Sequence, residues 1–175
     1  TDDDEWIETA CDAAEQFLDT ACARRFTVAG GTASARVFVP LSCDTVRIHD
    51  CATAPTVISN DGAVITSGFQ LEPLNGLTWA GETVPYDTIR LTSGYWVSDG
   101  HRATVSVTAA WGWTAIPPRI VQAALIVAKE IIVNRDEVKL GLVGFSDVGG
   151  VVARTNPIVR DVIQDYGRVE AIGIA

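Results

Sequence analysis

Histidine is scarce in this chain, basic charge is in the minority, and the short motifs that carry chemistry are missing. Only His49 and His101 occur in 175 residues. With Cys43 and Cys51 they form no Cys-x-x-Cys or His-x-x-x-His element, so no metal site is expected. The glycines at 141, 144, 149 and 150 share a composition with phosphate loops. They have no Gly-Lys-Ser/Thr and no strand-to-helix setting, so a mobile or interface loop is the better reading. No Gly-x-Ser-x-Gly turn is present. Glu72, Glu82, Asp87 and Asp99 are scattered near turns and form no pair at a spacing suited to acid–base work. The expectation is a protein that is not an enzyme and needs no cofactor.

Lys and Arg number 13 against 22 Asp and Glu, a formal net charge of −9. That balance speaks against a general nucleic-acid binder, which carries a basic face, and against a polybasic membrane-surface segment. No stretch reads as a signal peptide or a membrane span. Pro118 and Arg119 precede the longest apolar helix and Lys129-Glu130 interrupts it, so no membrane partner is expected.

What is present is the composition of a folded chain, 47% apolar and 20% charged. Residues 4–24 read as a helix. Trp6, Ile7, Ala10, Ala14, Phe17, Leu18 and Ala21 recur at helical spacing, and acidic residues from Asp2 to Asp19 fill the opposite face. The acidic face has two readings: solvation with helix-dipole support near the N-terminus, or a surface that meets a basic partner or repels passing DNA. Cys11 and Cys22 lie on this helix, roughly 16 Å apart at 1.5 Å per residue, too far for a disulfide. Both are expected in the apolar face. Cys43 and Cys51 flank a short strand and could pair, but assembly inside a cell favours free thiols.

Residues 33–110 read as β-rich, with strands at 36–39, 45–49, 56–58, 63–65, 69–71, 88–91 and 103–108. Asn60-Asp61-Gly62 between two of them is a hairpin signal, because Asp-Gly accepts the positive φ of a tight turn. Many short strands with frequent turns predict a small sandwich or barrel. Trp79, Trp96, Trp111, Trp113, Tyr86 and Tyr95 cluster here. Sheet packing is the first reading and a sugar or peptide platform the second.

Ile116-Pro117-Pro118 stops the β region, and 117–134 reads as a helix that is apolar nearly all round. Such a helix must be covered, and a chain this small has little core to cover it. Packing against the first helix and against a neighbouring subunit is expected, with Leu125, Ile126, Ile132 and Val133 at the subunit boundary. Leu125→Asp is expected to put an unpaired charge in an apolar setting. Residues 135–154 read as loop, with an extended piece near 151–153. Residues 157–166 read as the last helix, led by Asn156-Pro157. The segment 167–175 is apolar, with Ile172 and Ile174 alternating as in a strand. Ala171, Ile172, Gly173, Ile174 and Ala175 are the expected partner-docking residues; the other reading is a frayed tail or one that folds back on the β unit.

The order of these pieces resembles the head–tail connector (adaptor) proteins of tailed bacteriophages, in the form common among phages of actinobacteria. The matching pieces begin with an acidic N-terminal helix running into Arg24-Arg25-Phe26, a β-rich middle with Pro85-Tyr86, and the Trp111-Gly112-Trp113 strand end. The Ile116-Pro117 helix start, the Arg135-Asp136 break, the Gly141 to Gly150 loop and the Asn156-Pro157 final helix follow. The resemblance implies a structural virion protein in the phage neck, assembled in the host cytoplasm as a ring, usually of twelve subunits, below the portal. It implies the portal protein and the next neck or stopper protein as partners, with DNA passing through the lumen only as non-specific cargo. Two other readings remain: a different phage neck or tail-completion protein, and a non-catalytic carbohydrate- or peptide-binding β module. The expected fold class is α+β, a three-helix frame with an inserted antiparallel β domain at 33–110. The whole would be one connector domain, 1–175, with a C-terminal tail at 167–175.

Overall fold

The computed structural model describes residues 2–78, 81–98, 100–135 and 144–168. The fold is α+β, with antiparallel sheets between helices in the chain order. It divides into two compact units. One comprises Thr1–Phe26 with Ile116–Ala175, and the other is Thr27–Ala115.

The first unit is helical. Helix α1, Asp2–Cys22, buries Ala10, Ala14, Leu18 and Cys22, one residue per turn along a single stripe. It ends where Ala23 takes a φ of 49° and the backbone amide of Arg24 donates to the carbonyl of Asp19 at 3.1 Å. Asp19 then accepts from the Phe26 amide through Oδ1 at 3.0 Å, which fixes the exit of the chain. Helix α2, Pro118–Val133, has proline at N1, where a missing N–H costs nothing, and buries Ile120, Ala123, Val127, Ala128 and Ile131. It runs antiparallel to α1. Asp3 near the start of α1 receives Arg135 beyond the end of α2 at 2.6 Å, and Phe26 after α1 shares a groove with Ile116 and Ile120.

The range 135–154 is not all loop. Helix α3, Phe145–Thr155, occupies its second half and is followed at once by α4, Pro157–Tyr166. Glycine at 149 and 150 hides this helix from a propensity reading, since each costs about 1 kcal/mol against alanine. Burial of Val148 and Val152, one turn apart, offsets that cost, and Asp147 Oδ2 accepts from the Gly144 amide at 3.0 Å to close the first turn. Asn156 separates α3 from α4. Its backbone is extended, and its Oδ1 accepts from the amides of Ile158 at 3.0 Å and Val159 at 3.4 Å. Val159, Val162 and Tyr166 form the buried face of α4.

The second unit is a two-sheet sandwich. Its strands are β1 Ser34–Phe38, β2 Thr45–Cys51, β3 Val57–Asn60, β4 Ala63–Val64, β5 Phe69–Glu72, β6 Tyr86–Leu91 and β7 Val105–Ala109. One sheet has the order β1-β7-β3-β4 and the other β2-β6-β5, with every pairing antiparallel. The β3–β4 hairpin turns through Asp61 and Gly62 at φ 48° and 87°, the positive values that two-residue turns of this hand require. Alternation puts Val105, Val107 and Ala109 of β7 and Ile58 of β3 inward. There they meet Val46, Ile48 and Cys51 of β2, Ile89 and Leu91 of β6, and Trp96.

Candidate assembly surfaces

The exposed side of α2 carries Val121, Leu125, Lys129 and Val133, spaced four residues apart, as one stripe up the helix. Leu125 is 61% exposed and Val133 67% exposed, whereas Ile126 and Ile132 are half-buried. Of the four residues expected at a subunit boundary, two therefore stand open and two are partly covered by the chain itself. The 61% exposure also corrects the expectation for Leu125→Asp, because a carboxylate there remains solvated in the free chain.

Between α1 and α2 the stripe borders an apolar groove of about 330 Å³. Leu18, Phe26, Ile120 and Ala128 are buried in it, and Cys11, Val121 and Leu125 are its exposed lining. Glu15 and Asp19 stand on the α1 side. Sequence reasoning missed this groove and the place of Val121. The i, i+4 spacing of Val121 and Leu125 was legible, but which apolar side of α2 faces α1 was not. Cys11 is a second correction: it is exposed, while Cys22 is buried, and burial pushes the Cys22 thiol up to about 12.

Asp4, Glu5, Glu8, Asp12 and Glu15 form an exposed acidic face on α1. Ala171 to Ala175, named for partner docking, lie outside the described residues, as do Trp79, Asp99 and the stretch 136–143.

The aromatics of the β unit do not form one platform. Trp96 and Trp113 are buried, Tyr95 is exposed on its own loop, and the Trp96 indole N–H donates to the Asp44 carbonyl at 2.9 Å. Trp111 is half-buried under the Arg36 guanidinium, 4.7 Å from the ring centroid, and its N–H donates to the Ser34 carbonyl at 2.8 Å. Phe38 and His49 stand against it, and Arg36 meets His49 Nδ1 at 2.7 Å. The four residues pack together, joining β1 and β2 to the segment after β7.

Cys51 is buried, its thiol donates to the Thr53 carbonyl at 2.7 Å, and burial raises it to about 11. Among the described residues no group of three or more His, Cys, Asp or Glu is placed to hold a metal, and all four cysteines are free thiols. Arg90 reaches Glu72 at 2.8 Å and Asp44 at 3.1 Å across the β2-β6-β5 sheet. Hydroxyl donation from Ser42 and Thr45, helped by Arg90, holds the Asp44 carboxyl below its ordinary range; Arg90 does the same for Glu72. These groups are partly exposed, and the network pins three strands at their surface rather than building a reactive centre.

Among the described residues no helix is long and apolar enough to cross a membrane. Comparison with protein-family models, with curated proteins and with solved structures finds no match.

Proposed function

We propose that this chain is a structural subunit of a phage neck, a head–tail connector that forms a ring below the portal, with no catalytic role of its own. The observation that carries the reading is the stripe of Val121, Leu125 and Val133, open on a helix whose other faces already pack within the chain. Apolar side chains aligned on one helix and left in water are a surface for another protein chain. A neighbouring copy is the occupant that a ring supplies. The α+β order of the elements, from the acidic α1 through the β unit and α2 to the Asn156-capped α4, is the second support, although α3 takes up part of the expected Gly141 to Gly150 loop.

The remaining parts of the reading follow from charge and position. An acidic α1 face does not retain DNA in a lumen, since phosphate binding through counter-ion release needs a surplus of Lys and Arg. Residues 171–175 dock on the portal in this reading, and the opposite side of the ring receives the next neck protein. The test is native mass spectrometry and negative-stain imaging of the chain alone and with its portal. A ring on the portal that is lost in Leu125→Asp supports the proposal. A chain that stays monomeric in both conditions, or binds glycan as a monomer, overturns it.

A further inference from the structure

The α2 stripe carries one charge, and the groove beside it carries the opposite sign. Lys129 is the charged member of Val121, Leu125, Lys129 and Val133. It is exposed and has no ion pair among the described residues. The charged groups in the groove lining are Glu15 and Asp19, both on α1. Glu15 is exposed, while Asp19 is turned to the Phe26 amide through Oδ1. Val121 and Leu125 belong to both stripe and groove, so the two open on the same side of the helix pair. They are complementary in shape and charge, yet can meet only across two copies of the chain.

We infer that the free chain pairs with a second copy about a two-fold axis at Leu125, with the two α2 helices antiparallel and each stripe seated in the other copy's groove. The register comes from the chain itself. Asp3 meets Arg135 at 2.6 Å, and twelve residues inward along each of the antiparallel helices Glu15 stands level with Ala123. An axis at Leu125 sets the second copy's Lys129 level with Val121, about 3 Å along the helix from Glu15 and within reach of a four-carbon stem. The second copy's Val133 then falls level with Pro117, at the end of the groove lined by Phe26 and Ile116. Ala124 and Ala128 in the groove permit an interaxial distance of about 8–10 Å. A parallel pair would set Lys129 beside Lys129 and leave Glu15 facing no cation, so charge selects the antiparallel one. A two-fold contact closes on itself, whereas a ring propagates through unlike surfaces. The pair thus covers Val121 and Leu125 in the free chain and has to open before a ring grows. This pairing rests on the reading of the stripe as a copy-to-copy surface, and adds the state that precedes the ring.

Sedimentation equilibrium of the purified chain without portal, at about 5–200 µM, tests the pair. The expected result is a monomer–dimer equilibrium. Lys129→Glu and Glu15→Lys should each weaken it at least about tenfold, because each brings like charges together across the axis. The double variant Lys129→Glu/Glu15→Lys should pair at least about threefold more tightly than either single variant. Both positions are exposed, so the folded chain accepts the changes. A chain that is monomeric throughout that range, single variants that pair as the parent does, or a double variant no tighter than the singles would each overturn the two-fold pair. Rings on the portal with no pair in solution overturn the pair and keep the connector reading. A charge-rescued pair with no ring on the portal upholds the pair and overturns the ring.

Discussion

Val28 and Trp113 form a parallel bridge that joins the two ends of the β unit. The Ala29 amide donates to the Trp113 carbonyl and the Trp113 amide to the Thr27 carbonyl, both at 2.8 Å. The incoming and outgoing strands touch so closely that the residue between Trp111 and Trp113 has no room for a side chain. A Cβ on Gly112 would fall 2.5 Å from the Thr27 carbonyl oxygen and 2.9 Å from the Ala29 nitrogen, and its φ is 124°. Both contacts are backbone and cannot swing aside.

Gly112→Ala should therefore destabilise the β unit by on the order of 3 kcal/mol, from backbone strain added to the clash. The measurement is the urea midpoint. Gly30→Ala, where a Cβ meets nothing within 4 Å, should leave it almost unchanged. Equal midpoints for the two variants would show that the bridge is not as close as described.

On α2, position decides the effect of a charge. Ile131→Asp puts a carboxylate where the side chain is fully buried and should unfold the helical unit or cost several kcal/mol, on the order of 3–5. Leu125→Asp should cost no more than about 1 kcal/mol in the free chain and act on assembly. Thermal unfolding of both variants beside the parent checks this. A Leu125→Asp protein as unstable as Ile131→Asp would place Leu125 in a core.

Acid should weaken the β unit through Arg90. The folded-state pKa values of Asp44 and Glu72 are lowered, so their contribution to stability is complete above their ordinary values of 3.8 and 4.5. It is lost as pH falls through the depressed folded values. Arg90→Gln should lower the urea midpoint at about pH 7, and the difference between the two proteins should shrink as pH falls through the depressed folded values. A difference that persists undiminished in acid would show that the arginine acts through packing alone.

The thiols should sort by burial. Cys43 should react with an aromatic disulfide reagent in the folded protein, while Cys22 and Cys51, buried and raised to about 12 and about 11, react only on unfolding. Cys11, also exposed, should react in the folded protein as Cys43 does. Rapid reaction of Cys22 in the native state would contradict the packing of α1 on its neighbours.

Much of the fold was written in local pattern. The α2 start at Ile116-Pro117-Pro118, the Asn156-Pro157 cap and the Asp61-Gly62 turn are set by one or two residues whose backbone preference is strong. The alternation in Val105–Ala109 named its inward face without a partner in view. Helix α3 was not legible, because its glycines argue locally against a helix and only burial of Val148 and Val152 against the rest of the helical unit reverses the balance. The same limit applies to Cys11 and Cys22: an apolar stripe tells that a face is buried but not how wide the cover is, and Cys22 is buried while Cys11 stands exposed in a groove.

The sequence by itself determined most of the elements, their order and the α+β class, because capping, turn geometry and hydrophobic period act over a few residues and need no distant partner. Only the tertiary structure decided that β7 lies between β1 and β3, that Gly112 is pressed against Thr27, and that the Tyr166 ring stands edge-on to Phe26. Those relations join residues far apart in the chain, and their energies depend on shape and close approach, which no local pattern encodes.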